Sequence, residues 1–421
     1  MRAVLAVVLR WPAYGMPLDR DASVYTVIGR GLGWGDLPYR DLFDHKQPLI
    51  YAVYGVIDAV GISPRLVSAL VSLLAAVLVY AIVRRPLAPL LVVVLGASRF
   101  VHGFDLNTEH LLLVTGTLPI VVALLRPRWA LLVGVLFASA LLTKAVAILL
   151  LPALLIAIPR RFWWQLALGT AVPLVLLALV YLAASAFDDL WHWNVTYNRE
   201  YASVLSLGDR LSALKGQVPN LLLIAAATVA AVALLREERS RLHWTLAAWL
   251  AGAVLGALAG GYAYAHYFVP VIVPAAALIS LTPRPLVFVL AIAVLPFALE
   301  DARSLVQSSD RLAQRAYGAN ASLWKATEPV GKLIHDAAGP YDRMYVAESE
   351  AGFYAQADVK PASRVLYDSI LTLEPERTPH LCETHPRFVV LPHGVLPPYA
   401  QCLTGYTPMP GVPAPIVVLE R

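Results

Sequence analysis

The chain alternates long apolar runs with short polar intervals. The run LVSALVSLLAAVLVYAIV, at residues 66–83, contains no charged residue, and its apolar positions do not alternate with polar ones. Within a bilayer only helices and closed barrels satisfy every backbone hydrogen bond, and a barrel strand alternates with a period of two. The pattern therefore predicts an all-α polytopic membrane protein. We place eleven spans, at residues 1–15, 64–83, 87–101, 110–125, 129–143, 145–159, 162–186, 218–235, 242–260, 266–282 and 285–299.

The polar intervals between these spans carry charge of alternating sign. Arginines dominate every second interval, and acidic residues dominate the others. Because short basic loops stay in the cytoplasm, the basic intervals are predicted to lie inside and the acidic ones outside. The basic intervals are Arg84–Arg85, Arg126–Arg128, Arg160–Arg161, 236–241 and Arg284. With the N-terminus inside, eleven spans place the C-terminal segment outside the membrane.

The composition is typical of a membrane protein, and it limits the kinds of binding partner to be expected. Mean hydropathy is +0.65 and only 14% of the residues are charged. A net charge of +5 would favour nucleic acid as the partner of a soluble protein, but here the basic residues follow the topology. We therefore expect contact with membrane lipids and no nucleic acid. Only six of the 33 basic residues are lysines, and this arginine-rich usage favours a bacterial plasma membrane.

The composition changes at residue 300, which we take as a domain boundary. A mixed, helix-like stretch follows, and then three strand-like pieces, DRMYVAES, PRFVVLP and PIVVLER, separated by turn residues. Residues 1–299 are thus predicted to form a membrane domain, with its first outer loop at 17–62, and 300–421 a small extracytoplasmic α/β domain. Cys382 and Cys402 both lie in the latter, where an oxidising environment favours a disulfide over two free thiols.

The first outer loop holds the densest charge cluster of the chain. Val24, Val27, Ile28 and Leu32 recur with helical spacing, which predicts an amphipathic helix that lies flat on the membrane surface. The segment 48–61 is too short to span the bilayer, so we expect it to be interfacial or half-inserted. Carboxylates and a lysine would then meet at one membrane surface, where the first can act as a base and the second can hold a phosphate.

Several motifs in this loop and beyond it coincide, in order, with those of a known family. They are DASVY at 21–25, GDLPYRD at 35–41, KQPL at 46–49, FDLNTEHLLL at 104–113, LLTKAVAILLLP at 141–152, AHYFVPVIVP at 265–274 and KPASRVLY at 360–367. The set resembles the GT-C glycosyltransferases that use lipid-linked sugars, in particular the protein O-mannosyltransferases and the lipid A aminoarabinose transferase. Two positions depart from that pattern, Ala22 in place of an acidic residue and Gln47 in place of a proline.

The resemblance implies a membrane glycosyltransferase with a GT-C-like transmembrane catalytic domain. It would move a sugar from a polyprenyl-phosphate donor to an extracytoplasmic glycan, glycolipid or protein, with inversion at the anomeric carbon. Asp21 is the expected base, Asp19 its helper, and Lys46 the group that holds the donor phosphate. The expected substrate-binding residues are Tyr25, Asn107, Glu109, Lys144, His266 and Tyr267. A divalent metal is not favoured, because the spacing of the outward histidines matches no zinc signature.

Each of these residues also has a structural interpretation, and the whole protein has a competing one. Asp21 could cap the interfacial helix, and Lys46 could anchor at the lipid headgroups. Glu109 could cap a span, and His266 could belong to an aromatic belt at the interface. The competing class is a transporter or flippase of lipid-linked glycans, whose ionisable residues would lie near the bilayer midplane. Because the acids here cluster in outer loops, chemistry at the membrane surface is favoured.

Overall fold

The computed structural model describes residues 2–283, 286–287, 292–367, 369–374, 381–395 and 400–421. Within these ranges, five helices are long and apolar enough to cross a membrane: Pro64–Val83, Thr108–Leu125, Arg160–Ala183, Val218–Glu237 and Arg241–Ala259. Shorter apolar helices occupy Leu49–Ala59, Leu87–Ala97, Pro127–Thr143, Ala145–Ala157 and Ala265–Leu281. The remaining α-helices of eight or more residues are Arg20–Gly33, Leu207–Lys215, Leu295–Leu305, Ser309–Tyr317 and Asn320–Ala337. The helical membrane fold predicted from hydropathy is confirmed.

Nine of the eleven predicted spans coincide with apolar helices, one does not, and the last lies partly outside the described residues. Residues 1–15 form only a seven-residue helix, Arg2–Val8, followed by the 3₁₀ turn Trp11–Gly15, so the prediction of one continuous span there is wrong. Arg10 lies at the break and is buried because its guanidinium donates to Ser72 Oγ and to the carbonyl oxygens of Gly96 and Gly103. Arg284, with residues 285 and 288–291 of the last predicted span, lies outside the described residues.

The predicted helix of the first outer loop is confirmed, and it is buried on more than one side. It runs over Arg20–Gly33, and nine of its residues are buried on several sides. One side packs on Leu49–Ala59 at a close backbone approach, where a Cβ built on Gly29 would lie 2.5 Å from the nitrogen of Gly55. Another side packs on the helix Gly352–Ala357. Protein thus covers the helix on both of these sides, and its orientation relative to the membrane stays a prediction.

A five-stranded mixed sheet forms near the C-terminus. Its strands are β1 (Arg343–Val346), β2 (Lys360–Pro361), β3 (Phe388–Leu391), β4 (Thr407–Pro408) and β5 (Val417–Glu420), in the order β2-β1-β3-β5-β4. β1 pairs in parallel with both β2 and β3, whereas β5 runs antiparallel to β3 and β4. The three strand-like pieces predicted from sequence are β1, β3 and β5. The short edge strands carry too few residues for a periodicity to reveal them.

Two large hydrophobic cores stabilise the chain. One lies among the membrane helices, with buried residues such as Val92 and Phe137. The other joins the first outer loop to one face of the sheet, since Tyr25 and Tyr51 belong to the same cluster as Val346. The proposed domain boundary at residue 299 falls within the helix Leu295–Leu305 and stays a prediction.

The predicted disulfide is confirmed. Cys382 and Cys402, which are 20 positions apart in the sequence, are bonded, and their Cα atoms are 4.9 Å apart. That separation lies inside the normal Cα range for disulfides. The bond closes a loop that contains β3.

Candidate functional site

A cavity of about 410 Å³ opens where the first outer loop meets the helices after residue 300. Its polar lining comprises Asp19, Arg20, Asp21, Asp44, His45, Lys46, His102, His266 and Asn320. Its aromatic lining comprises Tyr201, Tyr264, Tyr267, Tyr317, Trp324 and Tyr367. Five of the predicted site residues are thus brought together here, namely Asp19, Asp21, Lys46, His266 and Tyr267.

The two aspartates at the start of the helix Arg20–Gly33 have different structural roles. Asp19 is the N-cap, and its Oδ1 accepts a 2.7 Å hydrogen bond from the backbone N–H of Ala22. Asp21 lies in the first turn, and its Oδ2 accepts a 3.4 Å hydrogen bond from the hydroxyl of Tyr25. The interpretation of Asp21 as the cap is therefore wrong. A carboxylate in the first turn is also stabilised by the positive end of the helix dipole.

The pKa of Asp19 departs strongly from its ordinary value. Burial raises its pKa well above the ordinary value, and the negative charges of Asp105 and Asp21 raise it further. Asp105 is itself held by Arg65, 3.5 Å away, and by the hydroxyl of Tyr317 at 3.0 Å. Asp19 therefore stays protonated at a pH where an exposed aspartate has already ionised.

Lys46 is presented to the cavity by a tightly bonded backbone. Its carbonyl oxygen accepts a 2.6 Å hydrogen bond from the hydroxyl of Tyr39, and the carbonyl of His45 accepts one of 2.8 Å from Asn198. Its ammonium lies 3.0 Å from Nε2 of His45. Burial by itself lowers the pKa of Lys46, but Asp21 and other nearby acidic groups outweigh it, so the net pKa lies above the ordinary value. Lys46 is therefore a stable cation.

A second lysine lies close by, but it is fully engaged. Lys144 donates to Glu109 Oε1, and its Nζ lies 4.1 Å from the ring centroid of Tyr267. Glu109 also accepts a 2.8 Å hydrogen bond from Thr108, and Nε2 of His266 is 3.8 Å away. Three of the motifs named above, FDLNTEHLLL, LLTKAVAILLLP and AHYFVPVIVP, thus meet at one buried ion pair.

Two predicted site residues lie behind the cavity wall. Tyr25 is 1% exposed and packs between Tyr51 and Tyr54, so that only its hydroxyl reaches Asp21. Asn107 is 1% exposed, and neither polar atom of its side chain has a partner among the described residues. Neither residue lines the cavity, and Tyr25 acts on it through Asp21.

A smaller cavity of about 220 Å³ adjoins the first. His45, Lys46, Tyr201 and Tyr267 line both, so these four side chains form the wall between them. The remaining lining of the smaller cavity is Gln47, Thr108, Lys144, Ala145, Val146, Asn194, Asn198, Ala202, Gly256, Ala259, Gly260 and Tyr262. The small and apolar members of this set give the second cavity a side suited to apolar groups.

Sequence reasoning missed an array of aromatic rings along the wall. Tyr201, Tyr262, Tyr264 and His266 follow one another in nearly parallel stacks, with consecutive ring centroids 4.5, 5.4 and 5.7 Å apart. The sequence YAYAH at 262–266 carries the only available signal, three rings at alternate positions. An aromatic belt at the interface has the same composition, so the pattern alone does not distinguish the two.

No cluster suited to a metal is found among the residues that the structure describes. Groups of three or more histidine, cysteine, aspartate or glutamate side chains in ligating arrangement do not occur there. His102 and His266 approach each other, with ring centroids 6.0 Å apart. Burial and the neighbouring His266 lower the pKa of His102 to about 3, so it is a neutral group at the cavity wall.

The helical membrane part, the cavity beside the first outer loop and the mixed sheet together define a polytopic helical membrane protein. Two solved structures share this fold. They are ArnT from Cupriavidus metallidurans bound to undecaprenyl phosphate, with a TM-score of 0.67 and 16% identity, and the same protein in the apo state, with a TM-score of 0.63 and 14% identity. Each match covers 99% of this chain and 96% of the other. No protein-family profile matches the chain, and no curated protein sequence does.

Proposed function

We propose that this protein is a glycosyltransferase that moves a sugar from a polyprenyl-phosphate donor to an acceptor hydroxyl. The observation that carries the proposal is the cavity in which Asp21 and Lys46 lie together, in a fold shared with a protein that binds undecaprenyl phosphate. Among the described residues neither of the two belongs to an ion pair, so both charges are available to a substrate. A carboxylate and a cation at one site match a reaction that removes a proton and releases a phosphate.

The reaction is a single displacement at the anomeric carbon. The acceptor hydroxyl attacks C1 of the sugar from the face opposite the phosphate, and its proton passes to Asp21. The C1–O bond to the phosphate breaks, and its electron pair leaves with the phosphate oxygen. Lys46 neutralises the charge that develops there. The sugar is inverted and polyprenyl phosphate is the second product.

Asp21 suits the role of base better than Asp19. An oxygen of Asp19 is occupied by the cap on Ala22, and the raised pKa of Asp19 keeps it protonated. Asp21 accepts only the long hydrogen bond from Tyr25, which leaves carboxylate oxygen capacity facing the cavity. In this proposal Asp19 fixes the helix that presents Asp21, and Tyr25 orients the carboxylate.

The remaining predicted residues shape the site around these two. The pair Glu109–Lys144 holds the ring of Tyr267 through the lysine, and Tyr267 forms part of the wall between the cavities. The face of an aromatic ring is apolar and slightly negative, so it can pack against the C–H groups of a sugar. In this proposal His266 lines the larger cavity beside Tyr267, and Asn107 is a buried residue near the site that does not line the cavity.

The proposal places this chemistry on the outer side of a bacterial plasma membrane, with the C-terminal domain extracytoplasmic. The charge alternation of the loops supports that side. The acceptor would be a cell-envelope glycan, a glycolipid or a protein that reaches this surface. Cavity walls built from tyrosine and histidine favour a sugar, whether a pentose or a hexose, in contact with the stacked rings.

The test uses the purified full-length protein in liposomes. Undecaprenyl-phosphate pentose and hexose donors are added with an envelope extract as acceptor, and release of undecaprenyl phosphate is followed by mass spectrometry. We expect protein-dependent release together with transfer of the sugar to an acceptor, and no release from protein-free liposomes. Movement of the intact lipid-linked sugar between leaflets, with no sugar transfer to any acceptor, would identify a flippase and contradict the proposal.

A further inference from the structure

The carboxyl ends of the parallel strands point towards the cavity. β1 leads to Glu350, which lies 3.2 Å from Arg20 beside Asp21, and β2 leads to Tyr367, which lines the cavity. In open α/β sheets ligands bind outside the carboxyl ends of the strands. Here that edge places side chains against the two loop segments that carry Asp21 and Lys46. The C-terminal domain thus reaches the site at two points.

Tyr367 stands at the centre of a buried hydrogen-bond chain. Its hydroxyl lies 2.6 Å from Oδ1 of Asp44 and 3.0 Å from Nδ1 of His45. Nε2 of His45 is in turn 3.0 Å from the ammonium of Lys46. Asp44 and His45 are 2% and 8% exposed, and Tyr367 is 7% exposed, so most of their surface is covered by protein.

The donors and acceptors in this chain can be ordered in one way. A lysine ammonium has only donors, so Nε2 of His45 must accept from Lys46. The proton of a neutral imidazole then resides on Nδ1, which donates to the oxygen of Tyr367. The single proton of that hydroxyl remains for the carboxylate of Asp44. Burial lowers the pKa of His45 well below its ordinary value, which agrees with a neutral ring.

Without the hydroxyl, His45 would lose the nearest acceptor that holds its proton on Nδ1, since Oδ1 of Asp44 lies further away, at 3.4 Å. The alternative tautomer carries its proton on Nε2 and would direct a donor at the ammonium of Lys46. Two donors facing each other repel, so the lysine would turn away from its present position. The position of the Lys46 ammonium therefore depends on a residue 321 places further along the chain.

We infer that Tyr367 is a positioning residue, which fixes the tautomer of His45 and thereby directs Lys46 into the cavity. The C-terminal domain would then complete the phosphate-binding group of the membrane domain. The inference rests on the proposed function in one respect, that Lys46 receives the donor phosphate. Tyr367 itself is not required to touch the substrate.

The test measures binding of undecaprenyl phosphate, without sugar, to the full-length protein by native mass spectrometry. The variants are Tyr367→Phe, Lys46→Ala and the double variant. Loss of one hydrogen bond in a charged network should weaken binding by about tenfold in Tyr367→Phe. In the Lys46→Ala background the same change should have less than about a twofold effect, because residues that act through one another are not additive.

Tyr406→Phe is the matched control. Tyr406 also belongs to the C-terminal domain, and its hydroxyl donates to the carbonyl of Pro386, but it packs on the opposite face of the sheet. It should bind undecaprenyl phosphate as the wild type does. Wild-type affinity in Tyr367→Phe, an equal loss in Tyr406→Phe, or a full tenfold effect that persists without Lys46 would each overturn the inference.

Sugar transfer is scored separately, so that the two proposals can fail independently. Lys46-dependent binding in a protein that transfers no sugar would refute the proposed function and leave the role of Tyr367 standing. Sugar transfer by the wild type, combined with additive effects of Tyr367→Phe and Lys46→Ala, would refute only the role of Tyr367. No binding by the wild type would overturn the inference as well, since Lys46 would then hold no phosphate.

Discussion

Two neighbouring carboxylate–lysine pairs are in opposite states. Asp21 and Lys46 line the larger cavity, whereas Glu109 and Lys144 do not, and Lys144 instead contacts Tyr267 in the cavity wall. Glu109 and Lys144 are joined in an ion pair, with Thr108, His266 and Tyr267 around them. Asp21 and Lys46 are joined to no ion pair among the described residues, and each side chain has a single hydrogen-bonded neighbour, Tyr25 or His45. We call Glu109–Lys144, whose charges meet each other, the closed pair, and Asp21–Lys46, which forms no ion pair, the open pair.

The difference shows which charges are available for chemistry. In a closed pair each charge neutralises the other. The role of Glu109 and Lys144 is therefore structural, since Lys144 holds the ring of Tyr267 in the cavity wall. An open pair in a partly buried cavity has charges that only a substrate can complement. In the sequence the two pairs look alike, each with an acidic residue in an outer loop and a lysine next to an apolar run. The three predictions below test this contrast.

The largest effect is expected from Asp21→Asn, which breaks the open pair. Asparagine still accepts the hydrogen bond from Tyr25 but takes no proton, so kcat for sugar transfer should fall by about 10²–10⁴-fold. The free energy of unfolding should fall by no more than about 1 kcal/mol, the value of a first-turn carboxylate at the helix dipole, because the helix cap belongs to Asp19. Transfer assays in liposomes and unfolding curves of the same preparation measure both. Transfer near the wild-type rate would move the base to Asp19 or Glu109.

A large effect of another kind is expected from Glu109→Gln, which opens the closed pair. Lys144 would keep a buried charge that faces only a neutral amide and the ring of Tyr267, and the free energy of unfolding should fall by about 3–5 kcal/mol. Adding Lys144→Met removes that charge and should restore most of the loss. Denaturant unfolding in detergent measures the change.

Lys46→Met is the matched comparison for this second prediction. Because Lys46 has no ionic partner to leave behind, the loss of stability should be well below that of Glu109→Gln. Equal destabilisation by Lys46→Met and Glu109→Gln would show that the two pairs do not differ in the way described. So would a double variant at 109 and 144 that is no more stable than Glu109→Gln alone.

The smallest effect is expected from Asp19→Asn. Asparagine caps a helix as well as aspartate does, and it resembles the protonated form that Asp19 already favours, so transfer should stay within about tenfold of the wild type. The raised pKa makes the folded state hold a proton that the unfolded state releases. Wild-type stability should therefore fall as the pH rises from about 4 through the folded pKa of Asp19. Unfolding at several pH values should show a flatter dependence in Asp19→Asn, and an unchanged slope would contradict this assignment.

The sequence by itself determined the membrane class, most of the apolar helices and the three main strands. These features depend on local hydropathy and periodicity, which need no knowledge of distant residues. Of the nine site residues predicted from the ordered motifs, five line one cavity. The disulfide followed from two cysteines in one outer domain.

Only the tertiary structure decided which charges are paired and what covers each face. The helix Arg20–Gly33 shows one apolar face in sequence, but Gly352–Ala357 buries another, more than 300 residues away. The partner of Lys144 is Glu109, 35 residues before it, and the hydroxyl that bonds Asp44 comes from Tyr367. Such contacts depend on how distant segments pack, and a local pattern contains no information about them. That Asp21 and Lys46 form no ion pair could be seen only in the tertiary structure, because a charge is known to be unpaired only when all its neighbours are known.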